Sequence, residues 1–275
     1  MPGVFNAITA KLAAAAGFDA LYMTGAGVAN SLTAMPDIGL VTLTEVAQQA
    51  RYISKAVSPI PVIADADTGF GEPLSVVRTV QEMEHAGLAG IHLEDQVAPK
   101  RCGHLDGKQV VSALDMAKKV DAAVNAKVDK DFYIIARTDS RSVNGIDDAI
   151  NRAKRYLDAG ADAIFPESLQ TVDEFAQFAK EVKAPLLANM TEFGKTPLIT
   201  VSQFEDMGYK MVIFPMTAFR VMAKAAEELY AELKKSGTQA KFIDRMQTRA
   251  ELYDLIDYAS YNQLDKTLSE RHSQE

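Results

Sequence analysis

A closed (β/α)8 barrel, an α/β fold carrying extra C-terminal helices, is what this sequence predicts, on three observations. A helix-like stretch ending in glycine and followed by a short apolar run recurs along the chain. Apolar runs alternate with helical segments of ten or more residues, the pattern of a parallel sheet. Chemistry-bearing residues stand at the C-terminal end of almost every run, where barrels place their active sites. The 275 residues suit one such domain, which typically needs about 250, so 1–275 is read as a single barrel domain.

The first strand is expected at Pro2 to Phe5. Four more follow the recurring phrase: Ala16-Gly17 before Ala20-Leu21-Tyr22-Met23, Ala86-Gly87 before Gly90-Ile91-His92-Leu93, Ala159-Gly160 before Ala163-Ile164-Phe165, and a weaker copy, Met207-Gly208 before Met211-Val212-Ile213-Phe214. Glycine just past a helix accepts the left-handed conformation that closes the last turn, and the apolar run behind it fits a strand buried on both faces. Three runs lack the phrase: Pro61 to Ala64, Phe132 to Ala136 and Pro185 to Ala188. Eight units favour closure over an open sheet, and no GxGxxG follows any strand, which speaks against a dinucleotide-binding fold. Two helical segments, Ala218 to Lys235 and Thr248 to Lys266, exceed what one barrel unit requires. The surplus, about 248–275, is expected to be a helical extension that packs on another subunit.

The balance of 48% hydrophobic and 24% charged residues supports a large core. A net charge of −8 without any run of Lys and Arg argues against a nucleic-acid partner. The apolar tract Leu12 to Ala16 is too short to span a bilayer and has no basic leader, so a cytoplasmic protein with no membrane partner is expected. A single cysteine, Cys102, excludes an internal disulfide framework.

The strand ends read Thr24-Gly25-Ala26-Gly27, Asp65-Ala66-Asp67, Glu94-Asp95, Arg137-Thr138-Asp139, Glu167, Asn189-Met190-Thr191 and, a few residues later, Arg220. Any one of these reads equally well as a helix cap or turn residue. The whole ring at one mouth does not. Asp65, Asp67 and Glu94 crowd negative charge that protons or a cation must offset, and Mg²⁺ suits carboxylates and open water positions. Zinc fits poorly, because His85, His92, His104 and His272 show no ligand spacing. A Schiff base fits poorly too, since no lysine ends a strand. The segment 97–108 has no apolar periodicity and is broken by Pro99, Gly103 and Gly107, as expected of a mobile loop over the mouth. Three cationic side chains and a histidine flank Cys102 there, which is expected to lower the thiol's pKa.

Lys100-Arg101-Cys102-Gly103-His104 resembles the signature loop of the isocitrate lyase and phosphoenolpyruvate mutase superfamily. The likeness covers nearly the whole chain and is strongest to the methylisocitrate lyase branch, through Tyr22-Met23-Thr24-Gly25-Ala26-Gly27-Val28-Ala29, Pro36-Asp37-Ile38-Gly39, Asp65-Ala66-Asp67-Thr68-Gly69-Phe70-Gly71, His92-Leu93-Glu94-Asp95-Gln96, Ala188-Asn189-Met190-Thr191-Glu192-Phe193-Gly194 and Met246-Gln247-Thr248-Arg249.

That resemblance implies a retro-aldol, Claisen-class cleavage of a 2-methylisocitrate-like tricarboxylate to pyruvate and succinate, as in propionate breakdown. It implies Asp67 nearest Mg²⁺, with Mn²⁺ the alternative ion, and Asp37, Asp65 and Glu94 around its water shell. Thr24, Gly25 and Ala26 are implied to cradle the 2-oxo acid, with Arg137 beside it; Gly103, His104, Glu167, Asn189, Thr191 and Arg220 are implied to hold succinate. Cys102 is the implied general acid, with Lys100, His104 and Arg137 completing the catalytic set, and the assembly implied is a homotetramer exchanging its C-terminal helix. Phe165 stands where isocitrate lyases carry a bulkier tryptophan, which favours the methylated substrate. Thr24 and Ala26 replace Ser and Gly of many relatives, and Leu105-Asp106-Gly107-Lys108 departs from some loops of the branch, so isocitrate and dimethylmalate stay open as substrates. Phosphonopyruvate-type mutases and hydrolases lack the Cys-containing loop, and a purely binding barrel needs neither the thiol nor the acidic ring.

Overall fold

Short apolar strands with helices between them close into a ring in the computed structural model, which describes residues 1–105 and 107–272. In chain order the elements of the first unit are β1 (Gly3–Val4), α1 (Ala7–Ala15), β2 (Leu21–Met23), α2 (Gly25–Thr33), α3 (Leu43–Val57), β3 (Val62–Asp65), α4 (Pro73–His85), β4 (Gly90–Glu94) and α5 (Ala113–Ala126). They continue as β5 (Tyr133–Thr138), α6 (Arg141–Asn144), α7 (Ile146–Asp158), β6 (Ala163–Pro166), α8 (Val172–Glu181), β7 (Leu187–Asn189), α9 (Val201–Met207), β8 (Met211–Ile213) and the start of α10 (Thr217–Ser236). Strands β1 to β6 pair in chain order, all parallel, and β7 pairs parallel with β8. Parallel bridges Ile164↔Leu186 and Pro2↔Phe214 join the two sets at both edges. The Gly3 amide donates to the Phe214 carbonyl at 2.9 Å, so the expected strand at the N-terminus is present and completes an eight-stranded barrel. Several strands sit one or two residues later than the apolar runs suggest, because the polar residue after each run still pairs: Asp65 with His92, and Arg137 with Glu94 and Phe165.

The alternation of a strand explains the site's construction. Tyr22, Ile63, Ile135, Phe165, Leu187 and Ile213 form a core inside the barrel. Two residues further along each strand the same face carries Thr24, Asp65, Arg137, Glu167, Asn189 and Pro215. Outward residues such as Leu21, Met23, Val62 and Ile134 pack on the helices in a second, larger core. The helices start where the sequence offers caps: Thr42, Ser112, Thr171 and Thr200 each accept from the backbone N–H three residues on.

A second compact unit begins at Arg220. It holds most of α10, a 3-10 turn at Ala240–Arg245, α11 (Arg249–Leu255) and α12 (Tyr258–His272). None of its described residues is buried, and Tyr230, Ile243, Tyr261, Leu264 and Leu268 are exposed. The last three residues of the expected extension, 273–275, and Asp106 of the expected loop lie outside the described residues. Among the described residues no helix is long and apolar enough to cross a membrane.

Candidate active site

The acidic cluster is built by one turn and one loop. After β3 the Asp67 amide donates to Asp65 Oδ1 at 2.9 Å, and Asp67 takes a left-handed φ of 48°, which a short polar side chain tolerates. The Glu94 amide donates to the Asp67 carbonyl at 2.9 Å, locking this turn to the end of β4. Lys100, only 4% exposed, sets its ammonium between Asp37, with which it pairs, and Asp67 Oδ1 at 2.7 Å. Burial pushes the Asp67 carboxyl up to about 6 despite Lys100, with Asp65 and Asp37 adding to the rise. Burial likewise holds Glu94 well above the usual carboxylate range, and its Oε1 is buried without a hydrogen-bond partner. Asp65 is shifted the other way: burial opposes its ionisation, but His92, Lys100 and Arg137 outweigh that.

Arg137 is the cationic centre. Its Nη2 stands 3.0 Å from Glu94 Oε2, its Nε 2.9 Å from Asp139 Oδ2, and its Cζ lies 5.1 Å from the centroid of the Phe165 ring. Asp139 is fixed in turn, accepting from Lys108 at 2.7 Å while its own amide donates to Asp95 Oδ1 at 2.8 Å. Fully buried Asp95 also accepts from Thr138 and Tyr156, each at 2.8 Å, and from Arg152 at 3.3 Å.

The N-terminus of α2 points at the same region. Thr24 caps it, accepting from the Gly27 amide at 3.2 Å, so the bland reading of Thr24 as a helix cap holds for its hydroxyl. What remains for an anion are the first-turn N–H groups of Gly25 and Ala26, which no helical carbonyl satisfies. Gly25 must lack a side chain, since a Cβ there meets Asp65 Oδ2 at 2.7 Å.

The loop lies down on the mouth. Gln96 clamps its start, donating to the Arg101 carbonyl at 2.7 Å and accepting from the Arg101 amide at 2.9 Å. Lys108 and Ser168 both donate to the Gly103 carbonyl. A Cβ on Gly103 would meet Glu167 Cγ at 2.5 Å and Arg137 Nη2 at 2.6 Å, so only glycine passes there. The expectation of a lowered Cys102 pKa is corrected: burial pushes the thiol up. Lys100 and Lys108 are already committed to Asp37, Asp67 and Asp139, so their charge does not reach the sulfur as a net positive field. A protonated thiol is the form a general acid requires.

One cavity is lined by Thr24, Ala26, Asp37, Asp65, Cys102, Gly103, His104, Arg137, Phe165, Glu167, Asn189 and Thr191. A smaller one beside it is lined by Gly25, Asp37, Asp65 and Asp67. Lys100 reaches the cluster through its ion pairs and Glu94 through Arg137. Arg220 belongs to the second unit, in the first turn of α10. Residues that the motifs left unassigned include Tyr22, which lines the cavity and bonds His92 Nε2 at 2.8 Å, and the Asp139–Lys108 pair. Asp139 had a signal, closing the Arg137-Thr138-Asp139 strand end; Tyr22, inside an apolar run, had none.

The model of the family described as phosphoenolpyruvate phosphomutase matches residues 1–234. The chain belongs to the phosphoenolpyruvate phosphomutase family. Over 270 residues it is 54% identical to a 2-methylisocitrate lyase of Aeropyrum pernix, spanning 98% of this chain and 86% of that one. A 2,3-dimethylmalate lyase of the phosphoenolpyruvate mutase and isocitrate lyase superfamily superposes with a TM-score of 0.92 at 38% identity, over 97% of this chain and 89% of that one. Phosphonopyruvate hydrolase in complex with oxalate and Mg²⁺ superposes at 0.85 with 29% identity, over 96% and 92%. The barrel of this family member therefore carries the fold of enzymes that act on small organic acids.

The acidic cluster is consistent with a divalent cation. An ammonium already stands in for one between Asp37 and Asp67, and Glu94 Oε1 is buried without a partner. Among the described residues no three His, Cys, Asp or Glu groups are set to close on one ion together.

Proposed function

We propose that this chain is a Mg²⁺-dependent carbon–carbon lyase that cleaves 2-methylisocitrate to pyruvate and succinate. The observation that carries the reading is the single cavity in which Cys102 shares a wall with Asp65, Arg137 and the N-terminus of α2. The 54% identical relative supports the choice of substrate.

In this reading Asp67, with Asp37, Asp65 and Glu94 around it, holds Mg²⁺, which supplies Lewis-acid stabilisation of charge on the substrate oxygen; Mn²⁺ is the alternative ion. The amides of Gly25 and Ala26 bind the carboxylate of the 2-oxo acid half, and Arg137 neutralises charge beside it. Gly103, His104, Glu167, Asn189 and Thr191 hold the succinate half. As the substrate hydroxyl gives its proton to a carboxylate of the acidic cluster, which later releases it to solvent, the carbon–carbon bond breaks to leave the keto group of pyruvate and its electron pair passes to the succinate carbon. The Cys102 S–H delivers the proton to that carbon, and the thiolate is reprotonated in turnover. Segment 97–108 opens to admit substrate and closes to keep water from the carbanion, with Lys100 and Lys108 anchoring the closed form. Phe165 leaves room for the methyl group.

The whole chain is read as one barrel domain with a helical extension. The assembly is read as a homotetramer in which the extension of another subunit packs on this one. A cytoplasmic location and the absence of nucleic-acid and membrane partners complete the reading. The test is a coupled assay of 2-methylisocitrate beside isocitrate and 2,3-dimethylmalate. Pyruvate and succinate in equal amounts from the first, at the highest kcat/KM, support it; faster cleavage of either other acid overturns the substrate assignment.

A further inference from the structure

We infer that the turn Phe193-Gly194-Lys195, which follows β7, is a positioning element for His104: its backbone takes one ring nitrogen and thereby fixes which nitrogen carries the proton. The inference rests on reading His104 as part of the lyase site.

The Lys195 amide donates to His104 Nδ1 at 3.1 Å. An imidazole nitrogen that accepts holds no proton, so the ring proton sits on Nε2. Nε2 stands 2.9 Å from Glu167 Oε1, on a side chain only 8% exposed. Burial opposes ionisation of Glu167, but Arg137 and the His104 ring hold it well below the usual carboxylate range, so an anion stands beside that nitrogen. The amide meets one side of the imidazole and the carboxylate stands against the other, so the β4 loop is held between the β6 and β7 loops.

Gly194 makes the approach possible. A Cβ there would stand 2.5 Å from His104 Nδ1 and 2.9 Å from Cε1 and Cγ. The ring has nowhere to retreat, because Glu167 stands 2.9 Å from its far nitrogen and Gly103 beside it is already pressed against Glu167 and Arg137. Phe193 supplies an independent sign. It adopts a left-handed φ of 59°, costly for a bulky residue, while its ring is 93% exposed and gains little from burial. That backbone conformation aims the Lys195 amide at the imidazole. Since His104 is two residues from Cys102, holding the ring also orders the thiol.

The experiment records long-range ¹⁵N–¹H correlations of the imidazole rings in the full-length protein without substrate. The His104 signal is assigned by its loss in His104→Asn. The native protein is expected to show the Nε2–H tautomer. Gly194→Ala is expected to lose it, to become open to trypsin at Lys100 and Arg101, and to lower kcat on the order of 10²-fold, as a displacement of about 1 Å can. Lys195→Pro, which deletes the donor, tests the same point if Gly194→Ala fails to fold, whereas Lys195→Ala keeps the N–H and should keep the tautomer. An Nδ1–H tautomer in the native protein, or an unchanged tautomer in both Gly194→Ala and Lys195→Pro, overturns the inference. Because the tautomer is read without substrate, a native protein inactive on methylisocitrate but showing this behaviour sinks the lyase reading and leaves the positioning role standing.

Discussion

The ammonium of Lys100 lies 2.7 Å from Asp67 Oδ1 and pairs with Asp37 as well, so a loop cation occupies the ground where an acidic cluster calls for positive charge. Removing it leaves Asp37 and Asp67 without the ammonium they share, while Glu94 keeps Arg137 and Asp65 keeps His92 and Arg137. Lys100→Met is therefore expected to lower stability by about 1–3 kcal/mol in chelator, the usual cost of stranding a buried partner. Millimolar Mg²⁺ should restore most of the loss, read by thermal unfolding. In Asp67→Asn the Mg²⁺-induced rise in Tm should disappear.

Cys102 should react slowly as a nucleophile, because burial favours its neutral form. A raised pKa means less thiolate at any given pH, so the midpoint of alkylation by iodoacetamide is expected above the ordinary thiol value of 9.0. With one cysteine in the chain the rate reports that thiol alone. A midpoint below that value restores the sequence-based expectation of an activated thiolate.

Asp95 is absent from the walls of the two cavities at the site yet holds its frame through Thr138, Tyr156, Arg152 and the Asp139 amide. Asp95→Ala leaves the buried Thr138 and Tyr156 hydroxyls and the Asp139 amide without their acceptor, while Arg152 keeps Asp148, and is expected to cost about 1–3 kcal/mol, measured by urea unfolding. Asp95→Asn keeps an acceptor and should cost less.

His92 and Asp67 act on stability in opposite senses. Burial lowers His92 to about 4 from 6.5, so its contribution is complete above pH 6.5 and is lost as pH falls towards 4. Asp67, raised to about 6 from 3.8, is less costly when protonated, so stability is gained as pH falls through 6. In metal-free protein, His92→Gln should gain stability relative to the native chain between pH 6.5 and 4, and Asp67→Asn should lose it. Parallel curves for all three proteins contradict both assignments.

The barrel was legible because glycine-closed helices and doubly buried strands leave a repeating mark, and the ring of polar residues because each sits two places beyond an inward apolar one, as Arg137 follows Ile135 and Glu167 follows Phe165. What stayed hidden depends on pairing across the fold. Lys100 looks like a cation beside the thiol until its partners Asp37 and Asp67 are known, and the burial that reverses the expected shift of Cys102 depends on how the loop packs. Tyr22 reads as core from its neighbours and only its meeting with His92 at the cavity wall shows otherwise. The contact between Gly194 and His104 joins residues 90 positions apart and leaves no local trace.

The most direct test of the Cys102 role runs the chemistry backwards. With Mg²⁺, pyruvate and succinate in D₂O, a thiol that protonates the succinate carbon must also remove its proton, and NMR should show deuterium entering the succinate methylene. The native enzyme is expected to exchange, and Cys102→Ser to exchange at least about 10²-fold more slowly while still binding succinate. Exchange at the native rate in Cys102→Ser would contradict the assignment of the proton to this thiol.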